Sequence, residues 1–240
     1  GGLVACVLLV VAGCAHQADP AGSSQATLAA PAIVSVDTWG GSPAASPTTP
    51  QNIRKVTLHH QGETWKPDSD VHAYLRRLQQ WSRLSKRWSD IPYHYVISPN
   101  GQIHAARDVG VPGDTNTEYN PQGHALVMLM GNFEEVQPTP QQLQASVELV
   151  AWLLQRHQLP VSAIASHKDY SQHTLCPGKN VYELLASGWF ERATLARLNG
   201  QAPLAPPITE RSALTTFDTV ATRASAASTS TRLALRLPKQ

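Results

Sequence analysis

Two segments with few large apolar residues flank a central block in this chain of 240 residues, and the central block is the part that can bury a core. Residues 15–52 are rich in Ala, Ser, Thr, Pro and Gly, and residues 196–240 are rich in Ala, Thr, Ser and Arg. Such compositions cannot bury enough apolar surface to offset the entropy of ordering the chain. We therefore expect a flexible tether at 15–52, a disordered or loosely docked tail at 196–240, and one folded domain at 53–195.

Patterns typical of strands recur through this block. Lys55 to His60 alternates, and Asn100-Gly101 predicts a hairpin between 93–97 and 102–106. The apolar run 125–130 predicts a central strand that is buried on both faces, and 163–167 is a further short strand candidate.

Two helices are predicted between these strands. Ser69 is a candidate N-cap for a helix whose apolar residues recur at helical spacing as far as Trp81. Thr139, Pro140 and Gln142 form a capping pattern before a second helix. Because strands and helices interleave, we predict an α/β domain with a single mixed central β-sheet flanked by helices.

An apolar run from Leu3 to Val11 reads as part of an export signal, because it is too short to span a bilayer as a mature helix. Val11-Ala12-Gly13-Cys14 resembles the lipobox of bacterial lipoproteins. Residues 1–14 are therefore predicted to be a truncated lipoprotein signal, with Cys14 lipidated and the protein exported on a membrane anchor. Ala15 resembles the residue that sorts such proteins to the outer membrane, facing the periplasm. The alternative is an ordinary signal peptide with a chance cysteine.

Charge and cysteine content exclude two classes of protein. A formal net charge of +2 removes the electrostatic argument for a nucleic-acid partner. Three cysteines, Cys6, Cys14 and Cys176, cannot form a disulfide framework. Cys176 would be the one thiol of the folded domain, and its surroundings allow a buried apolar role, a nucleophile paired with histidine, or a metal ligand.

Histidines near Cys176 make the metal interpretation specific. His167 lies nine residues upstream, at the end of a predicted strand. His59 and His60 point to opposite faces of their strand, so only one of them can reach a small ion. If Val56 and Leu58 are packed against the core, His59 is free to project into a site and His60 has a supporting role. Two histidines and one thiolate match a catalytic zinc site, which keeps its fourth position for water.

The order of these motifs resembles the zinc-dependent N-acetylmuramoyl-L-alanine amidase family, which includes peptidoglycan recognition proteins and phage amidase lysozymes. The resemblance spans about residues 53–190. It rests on segments that follow one another in the family's order: Leu58-His59-His60, Pro92-Tyr93-His94-Tyr95-Val96-Ile97, Asn100-Gly101, Tyr119-Asn120, Met130-Gly131-Asn132-Phe133, His167, and Thr174-Leu175-Cys176-Pro177-Gly178.

This resemblance implies a Zn²⁺ ion held by His59, His167 and Cys176, with Tyr93 and Thr174 near the reacting carbonyl. Because His167 and Cys176 are one residue further apart than is common in the family, His173 competes with Thr174 for that position. Met128 stands where some members place a glutamate base, and Thr115 replaces a histidine of the substrate cleft.

The remaining polar candidates are expected to support the site or to pack elsewhere. His60, Asp169 and Asn132 are placed beside the ligands or in the substrate cleft. Four histidines are expected at the surface or in packing: His94, His104, His124 and His157.

Three functions follow from the resemblance and the residues. The first is a zinc amidase, expected to be monomeric, that cuts the bond between N-acetylmuramic acid and L-alanine in peptidoglycan or muropeptides. The second is a module of the same fold that binds muropeptides without cutting them. The third is a thiol hydrolase that uses Cys176 and His167. The tail is either inert or a mildly basic contact to an anionic wall polymer.

Overall fold

The structure, a computed structural model, describes residues 1–2, 26–44 and 49–207. Cys6 and Cys14, and with them the predicted signal and lipidation site, lie outside the described residues, as does the tail from residue 208 onward. Within the described ranges, no helix combines the length and apolar character needed to cross a bilayer.

Six strands form one mixed sheet in the order β1-β4-β3-β5-β2-β6. β3 and β4 are antiparallel and joined by the predicted hairpin, whereas the other neighbours run parallel. All six residues of β5 are buried, as expected for a strand covered on both faces. The predicted α/β class with a single mixed sheet is confirmed. The strands are β1 (Ile33–Val34), β2 (Lys55–His60), β3 (Tyr95–Ile97), β4 (Ile103–Ala105), β5 (His124–Leu129) and β6 (Ile164–Ser166).

Four α-helices flank the sheet: α1 (Val71–Leu84), α2 (Pro140–Arg156), α3 (Lys179–Ala186) and α4 (Trp189–Leu198). The cap of α1 differs from the prediction, because Asp70 rather than Ser69 accepts a hydrogen bond from the Ala73 amide, at 3.1 Å. Either side chain can cap a helix, and the choice depends on which residue directly precedes the first helical turn.

The start of α2 is anchored by two different side chains. Thr139 Oγ1 accepts a hydrogen bond from the Gln142 amide at 3.0 Å, as the capping pattern predicts. The Gln142 side chain does not return to the cap. Instead its Nε2 donates to the carbonyls of Ile97 (2.9 Å) and Met130 (3.0 Å), which ties α2 to the ends of the central strands.

The sheet separates two apolar cores. Helices α2, α3 and α4 pack on the face that includes Val56 and Leu58. Helix α1 packs on the other face, with Trp39 and Met128. Since side chains alternate along β2, His59 points away from the Val56 and Leu58 face, as the sequence pattern predicts.

The segment 26–44, which we call the strap, corrects the prediction of a flexible tether over this part of the chain. Its strand β1 pairs with β4, and Trp39 is fully buried, with Nε1 donating to the Ala105 carbonyl at 2.7 Å. Further upstream, the Leu28 amide donates to Gln155 Oε1 at 2.6 Å. A few apolar residues are enough to dock the strap, because the sheet edge and α1 provide the surface that they cover.

The end of the domain lies slightly beyond its predicted boundary at residue 195. Helix α4 continues to Leu198, and residues 203–206 after it line a pocket together with residues of α2 and α4. Trp189 Nε1 donates to the Ala205 carbonyl at 3.2 Å.

Three of the histidines expected at the surface or in packing are buried, namely His94, His104 and His124. His94 is held on both sides, since its Nδ1 accepts from the Leu126 amide (2.8 Å) and its Nε2 lies 2.8 Å from the Val111 carbonyl. Burial lowers the pKa of His94 to about 4, so this side chain is neutral at physiological pH. These histidines have packing roles.

Candidate metal centre

Three neighbouring elements bring His59, His167 and Cys176 together. His59 lies near the carboxyl end of β2, and His167 begins the short 3₁₀ turn that follows β6. β2 and β6 are parallel neighbours, and Leu58 is paired with Ser166. The residues that follow this pair, His59 and His167, therefore lie next to each other at the carboxyl ends of the two strands. Cys176 reaches these strand ends from the loop before α3.

The donor atoms of these side chains form a compact set. One ligand atom from each of His59, His167 and Cys176 lies within 4.8 Å of the other two, and all three residues are buried. Cys176 Sγ is 3.5 Å from His59 Nδ1, close to the separation of about 3.6 Å expected for sulfur and nitrogen ligands of one tetrahedral zinc. The donor types and their spacing fit a zinc ion.

The electrostatics of the set also fit a cation. Burial, and then the neighbouring His167, lower the pKa of His59 well below its usual value, so its imidazole stays neutral. Burial raises the pKa of Cys176 to about 12, against the opposing effect of the hydrogen bond from the His60 amide. A thiol in such surroundings ionises near neutral pH only when a positive charge lies beside it. With both histidines neutral, a metal ion is the natural source of that charge.

A cleft with a volume of about 730 Å³ opens above the three residues. Helix α1 contributes Arg77, Leu78 and Trp81 to the lining of the cleft, and the loop at Thr115 and Thr117 contributes further residues. The cleft is large enough to hold a substrate of several residues, and its floor is the candidate metal centre.

Tyr93 stands directly beside the centre. Its ring centroid is 5.2 Å from that of His59, and the side chain lines the cleft. Burial raises the pKa of Tyr93 well above its usual value, and nearby Cys176 adds to this effect. The phenol therefore keeps its proton over the physiological pH range and can donate a hydrogen bond.

Thr174 and His173, the two residues predicted to compete for a position near a reacting carbonyl, lie in different surroundings. Thr174 is partly buried, and its Oγ1 accepts a hydrogen bond from the Cys176 amide at 3.1 Å. His173 lies at the rim with 81% of its side chain exposed, and its Nδ1 is 3.1 Å from a Glu118 carboxylate oxygen. Both side chains line the cleft. In the sequence, Thr174 is one residue nearer to Cys176 than His173 is.

His60 supports the centre from the other face of β2. Its amide donates to Cys176 Sγ at 3.3 Å, and its Nδ1 accepts from the Phe133 amide at 3.3 Å. His60 thus ties the cysteine loop to the turn after β5.

Asp169 and Asn132 stabilise turns rather than contacting the three ligand candidates. Asp169 Oδ2 accepts from the amide and hydroxyl of Ser166 at 2.7 and 2.8 Å, which fixes the turn that begins with His167. The Asn132 side chain accepts from the Glu134 amide at 3.2 Å. Asn132 is absent from the lining of the described cleft, whereas the turn it stabilises adjoins the cysteine loop through Gly178.

Thr117 is a neighbour of the centre that the sequence did not reveal. Its Oγ1 lies 2.7 Å from His167 Nε2 and 2.8 Å from Thr115 Oγ1. A hydrogen-bond partner of this kind fixes the orientation of a ligating imidazole. The threonines lie in a loop without periodicity, so sequence offered no signal for this contact.

Met128 lies next to His59 in the central strands. This residue is the direct partner of His59 across β2 and β5, and its side chain is fully buried. An apolar methionine side chain provides no general base at this position, next to His59.

Gly178 is expected to be indispensable for the cysteine loop. Its backbone has φ +83° and ψ 146°, and an added Cβ would lie 2.5 Å from the Phe133 carbonyl carbon. Gly178→Ala should lower the free energy of unfolding by about 2–4 kcal/mol, from backbone strain together with the clash. Gly123→Ala is the matched control, because Gly123 has the same φ of +83° but its nearest contact would be 3.4 Å away. Urea denaturation of both variants measures the difference, and equal losses would contradict the role of the close contact.

Comparison with known proteins gives one family match and several related folds. The family model described as N-acetylmuramoyl-L-alanine amidase matches residues 49–179. Peptidoglycan-recognition protein SD of Drosophila simulans is 29% identical over 133 residues, which cover 55% of this chain and 70% of that protein. Mouse peptidoglycan recognition protein 1 is 27% identical over 139 residues, covering 56% and 75%.

Solved structures support the same relationship. The crystal structure of Drosophila peptidoglycan recognition protein SD superposes with a TM-score of 0.57 and 26% identity, over 65% of this chain and 94% of that one. An endolysin N-acetylmuramoyl-L-alanine amidase from Clostridium intestinale superposes with a TM-score of 0.51 and 26% identity, over 66% and 96%.

Proposed function

Because the chain belongs to the N-acetylmuramoyl-L-alanine amidase family, we propose that it is a zinc-dependent hydrolase acting on peptidoglycan or muropeptides. The bond cut is the amide between N-acetylmuramic acid and L-alanine. The observation that carries the proposal is the compact set of His59, His167 and Cys176 at the floor of a cleft. Three protein ligands leave one position open, which is typical of catalytic rather than structural zinc sites.

The chemistry that zinc supplies in such a site is Lewis acidity, which polarises an amide carbonyl and makes water acidic enough to supply hydroxide near neutral pH. His59, His167 and Cys176 are the residues that would hold the ion. Thr117 orients His167 through the contact to Nε2, and His60 fixes Cys176 through its amide. These contacts keep the donor atoms in place before substrate arrives, which limits reorganisation during the reaction.

Tyr93 and Thr174 are proposed to stabilise the negative charge that develops on the carbonyl oxygen. Tyr93 remains protonated because its pKa is raised, so its hydroxyl can donate to that oxygen. Thr174 Oγ1 accepts from the Cys176 amide, which leaves its own proton available as a second donor. His173, exposed and next to Glu118, is assigned to substrate groups at the rim.

A muropeptide-binding module without catalysis is the second candidate. It is favoured by the names of several relatives, which are recognition proteins. The complete set of three candidate ligands in this chain favours the hydrolase, since binding alone does not require a metal with an open position.

A thiol hydrolase is the third candidate, and the electrostatics disfavour it. Such an enzyme needs a thiolate activated by a neighbouring imidazole or imidazolium. Here burial raises the pKa of Cys176 and lowers those of His59 and His167, which opposes an ion pair between them.

An assay with purified protein and muropeptides separates the three candidates. The amidase should release new amino groups, lose this activity with a chelator, and recover it when zinc is added back. Cleavage that resists chelation but stops on thiol alkylation would instead establish the thiol hydrolase. Binding by zinc-loaded protein without any new amino group would establish the recognition module.

We also propose that Cys14 carries a lipid that anchors the protein to the periplasmic face of the outer membrane, because residues 11–14 resemble a lipobox. Expressed with a complete export signal in a bacterial host, Cys14→Ser should lose metabolic labelling by fatty acid and leave the membrane fraction. Cys6→Ser is the matched control and should keep both. Labelling that survives Cys14→Ser would contradict the anchor.

A further inference from the structure

We propose that the strap, residues 26–44, is a positioning element for the cleft, acting through Gln79 and Asp90 on helix α1 and on the segment that carries Tyr93. The strap precedes the region matched by the family model, which begins at residue 49. The inference about catalysis rests on the proposed hydrolysis, whereas the structural coupling can be tested without it.

Gln79 joins α1 to the strap through a pair of hydrogen bonds. Its Nε2 donates to the Ser42 carbonyl at 3.0 Å, and its Oε1 accepts from the Ser42 amide at 3.1 Å. Gln79 is buried, with only 5% of its surface exposed. A buried amide with both ends satisfied by the same backbone unit fixes the distance between helix and strap.

The same amide continues to the segment before Tyr93. Gln79 Nε2 also donates to Asp90 Oδ1 at 2.8 Å, and that oxygen accepts from the Ile91 amide at 2.8 Å. Tyr93 follows Ile91 by two residues. Strap, α1 and the Tyr93 segment are therefore linked by a continuous chain of hydrogen bonds.

Arg83 reinforces this chain one helical turn further along α1. Its guanidinium donates to Ser42 Oγ at 2.6 Å and to the Ser42 carbonyl at 2.8 Å, and it lies 3.4 Å from Asp90 Oδ2. It thereby compensates the charge of the buried Asp90 carboxylate while holding the strap. Arg83 Nε also donates to the Ser89 carbonyl at 3.1 Å, directly before Asp90.

A different side of α1 forms the wall of the cleft. The residues that hold the strap, Arg76, Gln79 and Arg83, recur at spacings of three and four, and Arg76 donates to the Trp39 carbonyl at 2.7 Å. Arg77 and Trp81, four residues apart, line the cleft on a neighbouring stripe. Since the helix is rigid, a shift at the strap moves the wall of the cleft as well.

Two matched glutamine variants test the proposal. Gln79→Met removes the hydrogen bonds to Ser42 and Asp90 while keeping a side chain of similar size. Gln155→Met removes a comparable pair of bonds to the strap, from the Leu28 amide and to the Ala26 carbonyl, but Gln155 lies on α2, on the other side of the sheet.

We expect Gln79→Met to raise KM for a muropeptide about five- to tenfold, with a smaller fall in kcat and unchanged zinc content. A variant that merely loses stability has fewer active molecules, so its kcat falls while its KM stays constant. Gln155→Met should leave KM within about twofold of the original protein. Equal KM values for the two variants would overturn the proposal.

Hydrogen–deuterium exchange separates failure of the proposal from failure of the proposed function. Gln79→Met should accelerate exchange in α1 and in residues 88–93, and Gln155→Met should not, whether or not the protein cleaves muropeptides. Unchanged exchange in residues 88–93 of Gln79→Met would overturn the coupling. Accelerated exchange in an inactive protein would support the coupling and reject the hydrolase.

Discussion

Replacing Cys176 with alanine is expected to remove zinc from the protein and to lower the rate of muropeptide hydrolysis by roughly a thousandfold or more. Cys176 is the one candidate ligand of the set that can supply an anionic donor, as a thiolate, and its loss would leave two imidazoles, which bind the ion more weakly. Zinc content per chain, measured by elemental mass spectrometry, and amine release from muropeptides test the two effects together.

Leu175→Ala is the control for this variant. Leu175 belongs to the same loop, is 62% exposed and offers no ligand atom, so its replacement should leave zinc content and rate unchanged. A Cys176→Ala protein that kept both its zinc and its activity would show that the sulfur is not a ligand. Loss of activity with full zinc content would point instead to a thiol nucleophile.

Tyr93→Phe is expected to lower kcat by about a hundredfold to a thousandfold, the usual cost of losing one donor to a developing oxyanion. The change in KM should be small, because the aromatic ring beside His59 remains. The fall in kcat should persist across neutral and mildly alkaline pH, since the raised pKa keeps the phenol of the original protein protonated throughout that range. Steady-state kinetics with a soluble muropeptide measure both constants.

Tyr95→Phe provides the comparison for that experiment. It removes the same hydroxyl from a tyrosine that packs in the core on the α2 face. We expect its kcat to stay within about threefold of the original value. A similar kcat for Tyr93→Phe would remove Tyr93 from the catalytic machinery.

The location of the candidate centre could be predicted from the sequence because it depends on local patterns, such as the alternation of side chains along one strand. The strand with His59 was predicted with its observed bounds, Lys55 to His60, and alternation assigned His59 and His60 to opposite faces. The isolation of Cys176 within the folded domain left a buried apolar role, a nucleophile and a metal ligand open, and the nearby histidines favoured the ligand. These residues lie together because β2 and β6 are parallel neighbours whose carboxyl ends lie side by side, and the sequence did not give that order of the strands.

Contacts that depend on tertiary geometry were not predictable in the same way. Thr117 reaches His167 across 50 residues of chain, and Gln142 turns from its own helix cap to two strand carbonyls. Asp169 was placed beside the ligands or in the substrate cleft, and the sequence did not show that its oxygens accept hydrogen bonds from Ser166 and Tyr182. In each case the side chain bonds to a polar group that lies nearby in the folded protein. A single sequence does not show which groups the fold brings close together.

The strap shows where an argument from composition fails. Averaged over residues 15–52, the apolar content is too low for a folded segment. Trp39 nevertheless buries completely against α1 and β4, and strand β1 completes the sheet edge. Local apolar residues decide whether a segment docks, and averaging over a long window conceals them.

The most direct test of zinc-dependent amidase activity is mass spectrometry of the products that the zinc-loaded protein forms from a defined muropeptide. Two products are expected, an intact N-acetylmuramic acid sugar with a free lactyl carboxylate and a stem peptide with a free L-alanine amino group. Their masses should sum to that of the substrate plus one water, and neither should form after chelation. Cleavage at any other bond, products that form without metal, or recovery of intact substrate from a zinc-loaded protein that binds it would contradict the central claim.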